Sequence, residues 1–129
     1  MATGTAATDA REYHQSMVHY LRKTVDYEDT DSAGVKVGTL PSGAVMLSVD
    51  VMVTTAFAGT SPDLTVGVSG DLDKYLASGD VTETSTGLTS VTDKCEKVSA
   101  DTEVRAAVGG SSLTAGEAVV IVRYAADNG

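Results

Sequence analysis

A chain of 129 residues, 42% of them hydrophobic, is long enough for one domain that buries roughly two-thirds of the surface its unfolded form exposes. Eighteen acids against nine bases give a formal charge of −9, and no Lys/Arg run is longer than Arg22–Lys23. This argues against direct binding of nucleic acid or of an anionic membrane, since both need a basic stripe. Thirteen Gly, only two Pro, no Trp and one Phe, in a sequence rich in Val, Thr, Ser and Asp, argue against a helical bundle and for strands joined by tight turns around an aliphatic core.

Residues 1–16 are small, polar and aperiodic at first, and are read as an extended N-terminal arm. They lack a basic region followed by an apolar one, so no signal peptide is expected, and no apolar run approaches the roughly twenty residues of a membrane span. Residues 17–129 are read as a single β-sandwich domain. Met17 to Tyr27 alternates between two faces and predicts a strand, and the acidic loop Glu28 to Gly34 returns the chain into a short strand over Val35 to Leu40. Pro41 to Gly43 is a turn in which Pro presets φ and Gly supplies the left-handed position.

The longest strict alternation follows, with Val45, Leu47, Val49, Val51 and Val53 on one face and Met46, Ser48, Asp50, Met52 and Thr54 on the other. It predicts a strand over Ala44 to Ala56. Ala58 to Asp63 reads as a turn into a further strand over Leu64 to Ser69. Leu72, Tyr75 and Leu76 stand at helical spacing and predict one short helical turn at 71–77, bounded by Gly70 and Gly79. Thr86 to Val91, Cys95 to Ser99 and Thr102 to Val108 read as short strands, and Gly109 to Gly116 as a loop. Glu117 to Ala125 contains Val119 to Val122, apolar on both faces, and predicts a central strand buried on both sides. Seven to eight short strands of this kind make an all-β, antiparallel sandwich or jelly-roll-like fold.

Residues with catalytic or ligand chemistry do not assemble into a site. The acids Asp26, Glu28, Asp29 and Asp31 fail the EF-hand pattern, because a loop begun at Asp29 places Ala33 at its fifth position and Leu40 at its twelfth. Asp71, Asp73 and Asp80 form a second acidic patch, read as charge complementing the start of the helical turn. His14 and His19, the only histidines, fall on opposite faces of a strand and do not share a metal. No Gly-x-Ser-x-Gly elbow frames a serine, and no phosphate-binding glycine loop occurs. Cys95 lies between Lys94 and Asp93 on one side and Glu96 and Lys97 on the other. It reads as a half-buried strand thiol, and as the only cysteine it leaves no intrachain disulfide and fits synthesis in a reducing cytoplasm. The dispersed Tyr13, Tyr20, Tyr27, Tyr75 and Tyr124 read as rings at the sandwich edge with hydroxyls in water, not as a sugar platform. No enzymatic activity, metal or cofactor is expected.

Three blocks carry a resemblance that spans residues 35–125. Gly38 to Ala44 fits G-x-L-P-x-G-A ahead of a strand, Leu64 to Gly67 fits L-x-V-G, and Gly116 to Tyr124 fits G-x-A-x-V-x-V-x-Y. Together they resemble a family of small β-sandwich capsid decoration (cement) proteins of tailed bacteriophages. The resemblance implies a virion structural protein on the capsid exterior, made in the bacterial host cytoplasm, with the major capsid protein as partner and a homotrimer as its assembled form. It carries over no catalytic residue. This chain departs from the pattern in its longer segment Arg11 to Asp31. The arm and first strand are therefore expected to touch the shell or a neighbouring subunit through Thr3, Thr5, Arg11, Tyr13, Tyr20 and Arg22. The alternative is a tail- or fibre-associated host-attachment or carbohydrate-binding β-domain.

Overall fold

The computed structural model describes residues 18–126, and the expected arm lies outside them. The described residues form six antiparallel strands: β1 (Val18–Asp26), β2 (Val35–Leu40), β3 (Val45–Val68), β4 (Asp71–Leu76), β5 (Gly87–Val91) and β6 (Thr102–Ala125). β3 and β6, each 24 residues long, pair with one another from Val45 opposite Ala125 to Val68 opposite Val104. This ribbon is the spine of the molecule. At one end β1 flanks the C-terminal half of β6 and β5 flanks the N-terminal half of β3. At the other end β2 flanks the N-terminal half of β6 and β4 the C-terminal end of β3. The ribbon thus carries two four-stranded sheets, A (β1-β6-β3-β5) and B (β2-β6-β3-β4), which curl onto each other as the expected antiparallel sandwich.

Alternation explains the core. Val25, Val49, Val51, Val53, Ala118, Val120 and Val122 point inward from sheet A, and Leu40, Leu64, Val66, Leu76, Val104, Ala106 and Val108 from sheet B, all in one buried cluster. Fully burying such a side chain contributes about 1.5–3 kcal/mol. The sheets meet where Leu21 of β1 lies against Gly38 of β2, so close that a Cβ there would stand 2.8 Å from the leucine Cδ2. They meet again where the chain after β5 bridges them: Val45 pairs with Lys97, the Met46 N–H donates to the Glu96 carbonyl at 2.9 Å, and the Tyr75 hydroxyl of β4 donates to the Glu96 carboxylate at 2.9 Å.

Between the sheets the ribbon bends through a run of register shifts from Val53 to Asp63. Ser61 and Ser112 adopt left-handed backbone, with φ of 50° and 53°, on opposite strands of this bend. Gly116 is required here, since a Cβ would fall 2.3 Å from the ring of Phe57, the only phenylalanine. Glu83 pins the bend from the β4–β5 connection. Its carbonyl accepts the Phe57 N–H at 2.9 Å and its buried carboxylate accepts the Leu64 N–H at 3.0 Å.

Several expectations are corrected by this arrangement. The strands number six instead of seven to eight, because the expected turn Ala58 to Asp63 and the expected loop Gly109 to Gly116 pair with each other and fuse their neighbours into β3 and β6. The helical turn expected at 71–77 is strand β4. A bulge in its pairing, with Val66 opposite Leu76 but Val68 opposite Asp71, turns Tyr75 and Leu76 inward together and so imitates helical spacing. Cys95 to Ser99 makes one isolated bridge and no strand. A second bulge at Leu47 reverses the start of β3, so Met46 is buried while Val45 and Leu47 face outward. β6 is central as expected, yet within the run Val119 to Val122 only Val120 and Val122 are fully buried, and Val119 and Ile121 stay half-buried on the outer side.

Candidate functional site

Residues directly opposite one another in an antiparallel pair share a face, so the register of sheet A fixes its outer surface row by row. Val18 and Val45 both stand opposite Ala125. Tyr20, Arg123 and Ser48 form the next row; Arg22, Ile121, Asp50 and Ser90 the third; Thr24, Val119, Met52 and Leu88 the fourth. The large hydrophobic side chains left exposed among the described residues are Val18, Tyr20, Val45, Leu47, Met52 and Leu88, with Tyr20 at 64% and Leu88 at 62%. Each belongs to this one face, Leu47 through its place in the bulge beside Ser48. Exposed apolar side chains scattered singly need no explanation, but here they collect on one sheet face.

Within the face runs a groove of about 350 Å³ lined by Val18, Tyr20, Arg22, Ile121 and Arg123. Its floor is apolar and its charges are two arginines. A polar chain crosses three strands beside it. Ser90 Oγ donates to Asp50 Oδ1 at 2.6 Å, Ser48 Oγ donates to Asp50 Oδ2 at 3.3 Å, and Arg123 Nε donates to Ser48 Oγ at 2.7 Å while standing 3.2 Å from Asp50 Oδ2. Ser48 is fully buried and the Asp50 side chain is 15% exposed, while that of Arg123 keeps 49% of its surface open. The guanidinium is therefore anchored through its inner edge and remains half exposed at the groove.

Of the residues expected to make contacts, Tyr20 and Arg22 lie on this face, on adjacent outward positions of edge strand β1. Thr3, Thr5, Arg11 and Tyr13 lie outside the described residues, as does His14. Sequence reasoning missed Arg123, Asp50, Ser48 and Ser90. The only local signal was a set of polar outward positions in otherwise apolar strands.

The other candidates are occupied by structural tasks. In the acidic loop Asp26 Oδ1 accepts the Glu28 N–H, Asp29 Oδ2 the Asp26 N–H and Asp31 Oδ1 the Ala33 N–H, so the carboxylates hold the turn. Among the described residues no group of three or more His, Cys, Asp or Glu is placed to hold a metal ion. Burial pushes the half-buried Cys95 thiol up in pKa, with Asp93 and Asp50 adding to it, which is the reverse of activation. His19 stacks on Tyr124 at 5.6 Å between centroids. Tyr75 corrects the expectation of edge tyrosines: it is 1% exposed, and burial and its bond to Glu96 push its pKa up. Glu96 is held below the usual carboxylate range by hydrogen bonds from Lys74 and Tyr75.

A curled antiparallel sandwich of this design is a fold that phage capsids contain. The chain superposes on a chain of the cyanophage Pam1 capsid asymmetric unit with a TM-score of 0.67 at 22% identity, covering 98% of this chain and 92% of that one. It is similar in fold to a chain of the acidic stable capsid structure of Helicobacter pylori bacteriophage KHP30, with a TM-score of 0.66, 17% identity and 84% and 87% covered. A chain of the Ralstonia phage GP4 capsid aligns with a TM-score of 0.56 at 17% identity, covering 88% of this chain and 86% of that one. No protein-family model and no curated protein matches the sequence.

Proposed function

We propose that the chain is a virion structural protein, a decoration (cement) protein that binds the outer surface of a tailed-phage head and stabilises it. The observation that carries this reading is the two-way coverage of the fold match. The matched chain of the Pam1 capsid is covered nearly end to end, which supports a small sandwich unit of the kind a decoration protein needs. The outer face of sheet A supplies what such a role demands, an apolar surface on a strongly acidic chain. No catalytic role is assigned.

In this reading the partner is the major capsid protein. The arm at 1–16, with Thr3, Thr5, Arg11 and Tyr13, and the outward residues Tyr20 and Arg22 of β1 lie along the shell or a neighbouring copy, adding main-chain contacts at the strand edge. A homotrimer would cover exposed edges that otherwise invite aggregation. Many modest contacts repeated over a lattice then hold the protein by avidity.

Co-sedimentation of the purified protein with undecorated heads of its phage tests the reading. Saturable pelleting together with raised resistance of the heads to heat is the expected result. A clean supernatant over folded protein would overturn it and favour the tail or host-attachment alternative, for which glycan binding is the assay.

A further inference from the structure

The groove on sheet A is more specific than an apolar patch. A solvent-facing strand surface does not need a buried serine, a nearly buried aspartate and a second serine spanning β5, β3 and β6, and such a network contributes little to stability compared with apolar packing. What this one does is hold a guanidinium. Ser48 and Asp50 fix Arg123 by its Nε edge at 2.7 and 3.2 Å, and Ser90 in turn fixes Asp50 at 2.6 Å. An arginine fixed in advance loses less freedom on binding, and its planar fork matches a carboxylate in two parallel hydrogen bonds.

We infer that Arg123, positioned by Ser48 and Asp50, reads a carboxylate presented beside apolar side chains on the capsid shell, which seats against Tyr20 and Ile121 with Arg22 as the second cation. The inference deepens the proposed function and rests on it. Charge complementarity selects the occupant. The chain carries −9 overall, yet the groove is lined by two cations and no anion. An acidic, apolar partner is disfavoured by the net charge of the body and favoured at the groove, which sets orientation as well as affinity. Face-to-face packing of a second copy would bring the same arginines together.

The test compares wild type, Arg123→Gln, Asp50→Asn, their double variant and Lys36→Gln on the opposite sheet. Each is titrated against undecorated heads at low and at raised salt, with folding followed by circular dichroism. Arg123→Gln is expected to weaken binding tenfold or more, in the range of a buried interface arginine, and to flatten the salt dependence. Asp50→Asn weakens binding less and has no further effect in the Arg123→Gln background, a coupling that a merely structural role would not give. Lys36→Gln binds as wild type. Should Arg123→Gln fail to fold, Arg22→Gln, exposed at the same groove, is expected to weaken binding and flatten its salt dependence in the same direction. Wild-type binding with an unchanged affinity and salt slope in these arginine variants would overturn the inference alone. So would an altered sedimentation mass with head binding intact, which would make a second copy the occupant. No binding by the wild type at either salt would overturn the head-binding reading itself.

Discussion

The two halves of the β3–β6 ribbon present outward faces of opposite character. On sheet B, Arg105 donates to Glu103 through Nε at 2.8 Å and Nη2 at 2.7 Å, and its Nη1 reaches the carbonyls of Ala33 and Gly34 at 3.2 and 3.3 Å. Lys36 approaches the same Glu103 at 3.6 Å. The charges there satisfy one another and the adjoining loop. On sheet A the one anchored cation, Arg123, is held from beneath and left half exposed among Val18, Tyr20 and Ile121. The same strands therefore carry a charge-paired wall at one end and, at the other, an apolar face whose anchored arginine keeps half of its surface open. Since both share one core, the difference lies in the outward side chains, and the proposed contact face is the one on sheet A.

Changes at the arm, the shared core, the bend and the two faces differ in the size of their expected effects. Removal of residues 1–16, which lead into β1 at the edge of sheet A, is expected to abolish head binding while far-ultraviolet circular dichroism keeps its strand signature. Retained binding would remove the arm from the interface. Leu64→Ala, at the shared core, is expected to cost about 2–5 kcal/mol in chemical denaturation and to melt both faces in one transition, since neither sheet has a core of its own.

At the bend between the halves, Glu83→Ala orphans the Leu64 N–H and is expected to cost about 1–3 kcal/mol. Burial raises the Glu83 pKa, against the opposing hydrogen bonds from its own and the Leu64 N–H and with a further rise from Asp63. A carboxyl whose pKa is raised by folding contributes stability that is fully present below its unfolded value and lost as pH rises through the folded one. Glu83→Gln, which keeps an acceptor for Leu64, should thus be at least as stable as wild type at neutral pH, with the advantage shrinking as thermal melts are run at progressively lower pH. The smallest effects separate the faces most cleanly. Met52→Ser and Lys36→Gln are each expected to change stability by no more than about 0.5 kcal/mol, while only Met52→Ser weakens head binding.

How much of this was legible in the sequence follows from where alternation survives. The sequence reading of β2 matches its observed bounds despite a register shift between Lys36 and Gly38, and that of β1 ends within a residue of the observed Asp26. β4 was misread since its bulge puts Tyr75 and Leu76 on the same side. The ribbon's bend was read as a turn and a loop because Gly59, Ser61, Pro62, Gly109, Gly110 and Ser112 carry turn chemistry, and only their pairing across the molecule makes them strand. At the site, Tyr20 and Arg22 were visible as outward residues of the first strand. Arg123 and Ser48, 75 positions apart, and Asp50 and Ser90, 40 apart, become neighbours only through the register of three strands, which no local spacing encodes.

The most direct measurement of the central claim is a cryo-electron microscopy reconstruction of undecorated heads incubated with the protein. The account predicts ordered density at symmetry-related positions outside the shell, with Tyr20, Arg22 and Arg123 turned toward the shell and Lys36, Glu103 and Arg105 toward solvent. Density in which sheet B meets the shell and the groove of sheet A faces solvent would contradict it.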